Sequence, residues 1–167
     1  MSIDKLGWDA ESPLASPFFG ARLRIVWQHV REQMLVAIHQ AGYIDFQEAH
    51  FAIFSFPLPN GTKPSEIARQ KKISRQAVNY LLSQLERLGY LERRTPGGSD
   101  RRLVYLSEDG HKIADAIFDC LRRLEEEFTG EIGVERFLVF LDVLGELSDK
   151  RLGERLDRAT DHDLLGK

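Results

Sequence analysis

Residues 63–110 read KPSEIARQKKISRQAVNYLLSQLERLGYLERRTPGGSDRRLVYLSEDG, and this stretch decides the fold. Pro64 suits the first position of a helix, with Thr62 or Lys63 before it as the cap. Ile67 and Ala68 face inward, and the short helix ends near Lys71 and Lys72. Ser74 is the natural cap of a second, longer helix. Within it Val78, Leu81, Leu82, Leu85 and Leu88 form one apolar stripe, and Gly89 closes it. A short support helix, a tight turn and a longer helix with one free face make a helix-turn-helix. At 100° per residue the side away from the stripe carries Gln76, Tyr80, Ser83 and Arg87, with Asn79 on the flank and Arg75 in the open first turn. That face is polar and free of acid. Gln and Asn can pair with an adenine edge and Arg with guanine, while the helix N-terminus offers N–H groups to phosphate.

The next residues predict a hairpin. Residues 90–94 and 102–106 read as short strands around the polar, glycine-rich turn at 95–100. Arg93, Arg94, Arg101 and Arg102 flank that tip, an arrangement that repels itself without an anionic partner. An arginine at the edge of a minor groove gains from its focused negative potential. Asp100 can hold a neighbouring arginine through a bidentate pair.

Outward from this segment the chain is helical. Leu23, Trp27, Val30, Met34 and Ile38 mark one face of a helix that Gly42 stops, and a second helical stretch is expected over residues 45–54. Residues 56–61 read as a turn. Ser107 caps a long helix to about residue 128, with Ile113, Ile117, Leu121 and Leu124 on one face. Another helix runs from about 134 to 147 or beyond, followed by a charged tail expected to fray. Residues 1–20, with Pro13, Pro17 and Gly20, read as an extended arm. The fold class is therefore mainly α with a small β-hairpin.

The net charge of −3 hides a division: residues 61–112 hold 11 Lys/Arg against 6 Asp/Glu, or +5, and the rest hold 12 against 20, or −8. A basic segment inside an acidic chain is the footprint expected when one subregion meets phosphate and the remainder does not. No apolar run is long enough for a membrane span, and the N-terminus lacks the pattern of a signal peptide. A single cysteine, Cys120, excludes an internal disulfide, so a reducing cytoplasm is expected.

Residues 63–110 resemble the winged-helix core of MarR-type transcriptional regulators. The resemblance rests on Pro-Ser-Glu-Ile-Ala at 64–68, on Leu-Glu-Arg-Leu-Gly-Tyr-Leu at 85–91, and on Asp100-Arg101-Arg102 followed by Leu106-Ser107 and Gly110. The last resembles the family's D-x-R wing motif and is the most specific match. The flanking helices agree with the family in order and length rather than by motif. The resemblance implies a cytoplasmic homodimer that acts on double-stranded DNA at a near-palindromic operator as a repressor. It divides the chain into an arm at 1–20, dimerising and supporting helices at 21–55, the DNA-binding winged helix at 56–110, and dimerising helices at 111–167. It implies that Asp100 orients the wing arginines, that Arg102 probes the minor groove, and that residues 75–80, behind Ser74, approach bases. Lys63 stands where the family often has a Thr or Ser cap, which favours a phosphate contact, shared with Ser65, Arg94 and Arg101. A pocket for a small aromatic or apolar ligand is implied near Trp27, His39, Tyr43, Phe46, His50 and Phe54, most of which core packing explains equally well.

Other chemistries find little support. There is no G-x-S-x-G, H-E-x-x-H or P-loop, so no enzyme activity and no cofactor is expected. His29 and His39 lie almost three turns apart, too far to share a metal. Cys120 sits beside the apolar stripe and reads as a buried, inert thiol. A winged helix acting purely as a protein-interaction module is the alternative reading; it calls for an acidic or apolar outward face on the second helix, unlike residues 76–83.

Overall fold

The computed structural model describes residues 19–55, 58–95, 97 and 102–164, and the side chains of these up to residue 150. The arm at 1–18 and the wing-tip residues Asp100 and Arg101 lie outside the described residues. The elements run α1 (Phe19–Gln40), a 3-10 turn (Glu48–Ala52), β1 (Asn60–Thr62), α2 (Pro64–Lys71), α3 (Arg75–Arg87), β2 (Leu91–Arg94), β3 (Leu103–Leu106), α4 (Glu108–Ile132) and α5 (Val134–Leu164). The fold is mainly helical with one small antiparallel sheet, as the sequence predicts.

Two compact units divide the chain, residues 1–121 and 122–167. In the first, the core is built where the 3-10 turn meets α3 and the sheet. Ile38, Phe46, Ile53, Phe54, Val78, Leu82, Leu85, Val104 and Ile113 are all buried. Phe46 is the hub: its ring sits 5.2 Å from each of His50, Phe51 and Phe54, edge-on. Arg31 of α1 pairs with Glu48 at 3.1 Å and lies over the Phe51 ring, tying the 3-10 turn to α1. The predicted helix over 45–54 thus shortens to one 3-10 turn. Phe46, His50, Ile53 and Phe54 keep the i, i+4, i+7, i+8 spacing of a helix face, but Phe51 is buried too and widens the inward arc well beyond an ordinary apolar stripe of roughly 100°.

The sheet order is β1-β3-β2. Leu91 pairs with Leu106 and Arg93 with Val104, so Leu91, Val104 and Leu106 point to the core. Residues 60–62, which end the expected turn, add β1 to the edge of β3. Ser107 caps α4 by accepting the Gly110 N–H at 3.0 Å, and its own hydroxyl donates to the Gly89 carbonyl. Those bonds tie the start of α4 to the end of α3.

In the second unit α5 is longer than expected, reaching Leu164 through the charged stretch read as a fraying tail. Lys, Arg, Glu and Leu are good helix formers and no proline interrupts them. Phe137 is buried, with Phe128 and Phe140 near its ring. Otherwise α5 is bare: Leu138, Val139, Phe140, Leu141, Val143, Leu144 and Leu147 are all exposed.

Candidate nucleic-acid interface

The support helix α2 starts at Pro64 after Lys63, whose backbone N–H donates to the Glu66 carboxylate at 3.4 Å. The Lys63 ammonium pairs with the same carboxylate at 3.5 Å. Glu66 thus meets one of the donors that a helix start leaves open. Lys63 is half exposed and Ser65 exposed, so both stand at the surface beside the start of α2. The turn into α3 passes through Lys72 in the left-handed region at φ 54°. A non-glycine residue there costs roughly 1 kcal/mol, offset by the bond its N–H makes to the Ala68 and Arg69 carbonyls.

Ser74 caps α3: its hydroxyl accepts the Ala77 N–H at 3.1 Å. Its hydroxyl is therefore engaged by the helix itself. Val78, Leu82 and Leu85 are fully buried, while Leu81 and Leu88 are only half-buried at the margins of the stripe. Opposite them Arg75, Gln76, Asn79, Tyr80 and Ser83 are all exposed. Arg75, Gln76, Asn79 and Ser83 make no side-chain hydrogen bond or ion pair among the described residues. Tyr80 is 64% exposed, and its hydroxyl accepts from Gln84 at 3.0 Å, which fixes the ring along the helix.

The wing strands place their arginines unequally. Arg93 turns toward α3 and pairs with Glu86 at 3.1 Å, locking hairpin to helix. Arg94 faces the other way, where Glu92 binds its guanidinium and Tyr105 lies 5.3 Å beneath it. The Glu92 hydrogen bond and charge raise the Arg94 pKa, so it stays cationic. Arg102, just before β3, is exposed and has no partner among the described residues. It stands as an exposed cation at the root of the wing. Sequence reasoning could not find the Glu86–Arg93 or Tyr80–Gln84 pairs, because each depends on rotamers or on hairpin twist rather than on residue pattern.

The six residues expected near a ligand pocket stand in different surroundings. Phe46, His50 and Phe54 are in the core. The His39 ring nitrogen Nε2 bonds the Phe46 carbonyl at 2.8 Å. The Tyr43 hydroxyl donates to Asp109 at 3.3 Å, and burial together with the Asp109 charge raises its pKa. Trp27 lies on the exposed half of α1. Cys120 is buried.

The comparisons agree with this geometry. The model of the MarR family matches residues 44–103. The HTH-type transcriptional regulator FarR of Neisseria gonorrhoeae is 27% identical over 113 residues, covering 66% of this chain and 75% of FarR. Over residues 44–103, the helix-turn-helix and the first strand of the wing, the chain is similar to MarR-type regulators. Among solved MarR-type structures, that of NadR in complex with 4-hydroxyphenylacetate is 25% identical, with a TM-score of 0.57 over 83% of this chain and 96% of that one. A Staphylococcus aureus MepR mutant bound to an oligodeoxyribonucleotide shares the fold at 15% identity and a TM-score of 0.51, over 79% of this chain and 96% of that one. No helix among the described residues is long and apolar enough to cross a membrane.

Proposed function

We propose that this chain represses transcription as a homodimer on a near-palindromic DNA operator. The observation that carries the reading is the outer face of α3, where five polar or aromatic side chains stand exposed with no acid among them, directly behind a fully buried stripe. Arg75, Gln76, Asn79, Tyr80 and Ser83 read base edges; Ser74 holds the helix start, where open N–H groups meet phosphate. Lys63 and Ser65 at α2, with Arg94 and Arg101 on the wing, supply phosphate affinity. Arg102, oriented by Asp100, enters the minor groove. Repression is steric: a dimer with two such helices spans half-sites about one turn of DNA apart and occludes polymerase. NadR was solved with a small aromatic acid, and release by a small ligand is the control mode that fits a regulator of this type.

Selection of operator sites from random DNA with the purified protein tests the reading. Enrichment of an inverted repeat supports it, and a pool with no enriched motif sinks it. Asn79→Ala then relaxes preference at one position of each half-site by roughly 1–3 kcal/mol, read from competition binding with single-base variants. Arg102→Ala instead weakens all sequences alike and lowers the slope of log affinity against log salt by about 0.9 per lost phosphate contact. An unchanged slope in fluorescence anisotropy would remove Arg102 from the interface.

A further inference from the structure

A pocket of about 280 Å³ opens between the 3-10 turn and the C-terminal half of α3, walled by Asp45, Gln47, His50, Gln84, Arg87 and Leu88. It lies at the C-terminal end of α3, beyond the residues that read bases, although Arg87 shares their side of the helix. Three of its polar groups are unmatched among the described residues. His50 is 1% exposed, and its Nδ1 accepts the Gln47 backbone N–H at 3.0 Å. A neutral imidazole that accepts at Nδ1 carries its proton on Nε2, and that Nε2–H has no hydrogen-bond partner. Burial lowers the His50 pKa and so keeps the ring neutral, although nearby Gln84 works the other way. Gln84 lies close enough to favour the charged ring slightly, but it makes no hydrogen bond of normal geometry to Nε2. Buried donors without acceptors are rare and call for an explanation. On the rim, Asp45 and Arg87 are both exposed, and neither makes a hydrogen bond or ion pair among the described residues.

A carboxylate, a guanidinium and an unmatched N–H around one small cavity, with the two charges not paired to each other, are complementary to a molecule carrying both charges. We propose that this pocket binds a small zwitterion of the α-amino-acid class. The carboxylate of the occupant accepts from the Nε2–H of His50 and from the Arg87 guanidinium, and its ammonium group donates to Asp45. The volume is at the low end for ligand sites, which suits a free amino acid rather than a larger molecule. Gln84 gives the site a route to the helix surface, since the side chain that flanks the pocket also holds the Tyr80 hydroxyl. An occupant that recruits Gln84 releases Tyr80. That consequence for DNA affinity rests on the function proposed above; the binding itself does not.

The test is amide NMR on the full chain, titrated in turn with each standard α-amino acid at millimolar concentration, without DNA. At least one is expected to give saturable shifts at Gln47, Gln84, Arg87 and Leu88. The des-amino acid of the same carbon skeleton and the corresponding amine should each bind about tenfold more weakly or worse, as loss of one charge-assisted hydrogen bond implies. Arg87→Met and Asp45→Asn change exposed residues and leave the core intact, and each should weaken binding by a similar factor. If no amino acid moves these amides, the pocket holds water alone and the proposal fails. It fails equally if the single-charge analogues bind as well as the zwitterion, or if shifts are the same in both variants.

Discussion

Replacing Gly110 with alanine is expected to destabilise the chain by about 3 kcal/mol without touching any residue assigned to DNA. A Cβ at this position would lie 2.0 Å from the Tyr90 carbonyl oxygen and 3.3 Å from the Leu106 Cβ. The nearest obstacle is backbone, so no side chain can swing aside. The Tyr90 carbonyl is also fixed, because it accepts the Ser107 N–H at 3.2 Å while the Tyr90 N–H reaches back to Leu85 at 2.9 Å. Relief would require α4 to move away from the β2 base, which would also break the Ser107 bonds to Gly89 and Gly110. For a chain of this size the melting temperature should fall by roughly 10 °C, measured by far-ultraviolet circular dichroism. A variant melting within a degree or two of the parent would mean that α4 is free to shift, and that the close approach does not hold the wing in place.

Gly110 also marks what a sequence can and cannot disclose. Its place after Leu106-Ser107 is legible as pattern, but the reason for it, contact with a carbonyl twenty residues earlier, is not. The helix-turn-helix was legible because its information is local: Pro64, Ser74, Gly89 and a stripe at helical spacing each act within a turn or two of themselves. The face of α3 followed from the same periodicity, since fixing the buried side fixes the exposed one. What was not legible depends on partners distant in sequence. Residues 60–62 carry no strand signal of their own and pair because β3 presents an open edge. The 3-10 turn at Glu48–Ala52 is helical in composition, yet the demand that Phe46, His50, Phe51 and Phe54 converge overrides a regular helix. The pocket beside it was equally hidden, because Asp45 and Arg87 are forty-two positions apart, one at the start of an expected helix and the other on the outward face of a different one.

Phe140→Glu combined with Leu144→Glu is expected to leave the chain folded but monomeric, and to lower its affinity for a two-half-site operator by about a hundredfold or more. Both residues are exposed, 45% and 43%, and lie one turn apart on α5. Around them Val134, Leu138, Val139, Leu141, Val143 and Leu147 are also exposed, so apolar side chains cover most of the helix circumference. A helix apolar all round is normally a buried one, and a soluble monomer rarely leaves so large a contiguous apolar patch in water. The N-terminal half of α1 has the same character, with Phe19, Leu23, Ile25, Val26 and Trp27 all exposed. A second copy of the chain is the cover that the proposed near-palindromic operator would call for, because two-fold symmetry in a protein matches two-fold symmetry in its site. The charge division is consistent with the same proposal: outside residues 61–112 the chain is acidic, as expected of a part that does not meet phosphate. Two glutamates placed in that seam would meet their symmetry mates as buried like charges, which neither packing nor solvent can relieve. Sedimentation velocity should give a dimer for the parent and a monomer for the variant, with helix content unchanged by circular dichroism. Binding to a single half-site should be nearly the same for both, since each winged helix is intact. A parent that sediments as a monomer at tens of micromolar, or a variant that stays dimeric, would separate the exposed face of α5 from dimerisation and leave operator recognition to one winged helix alone.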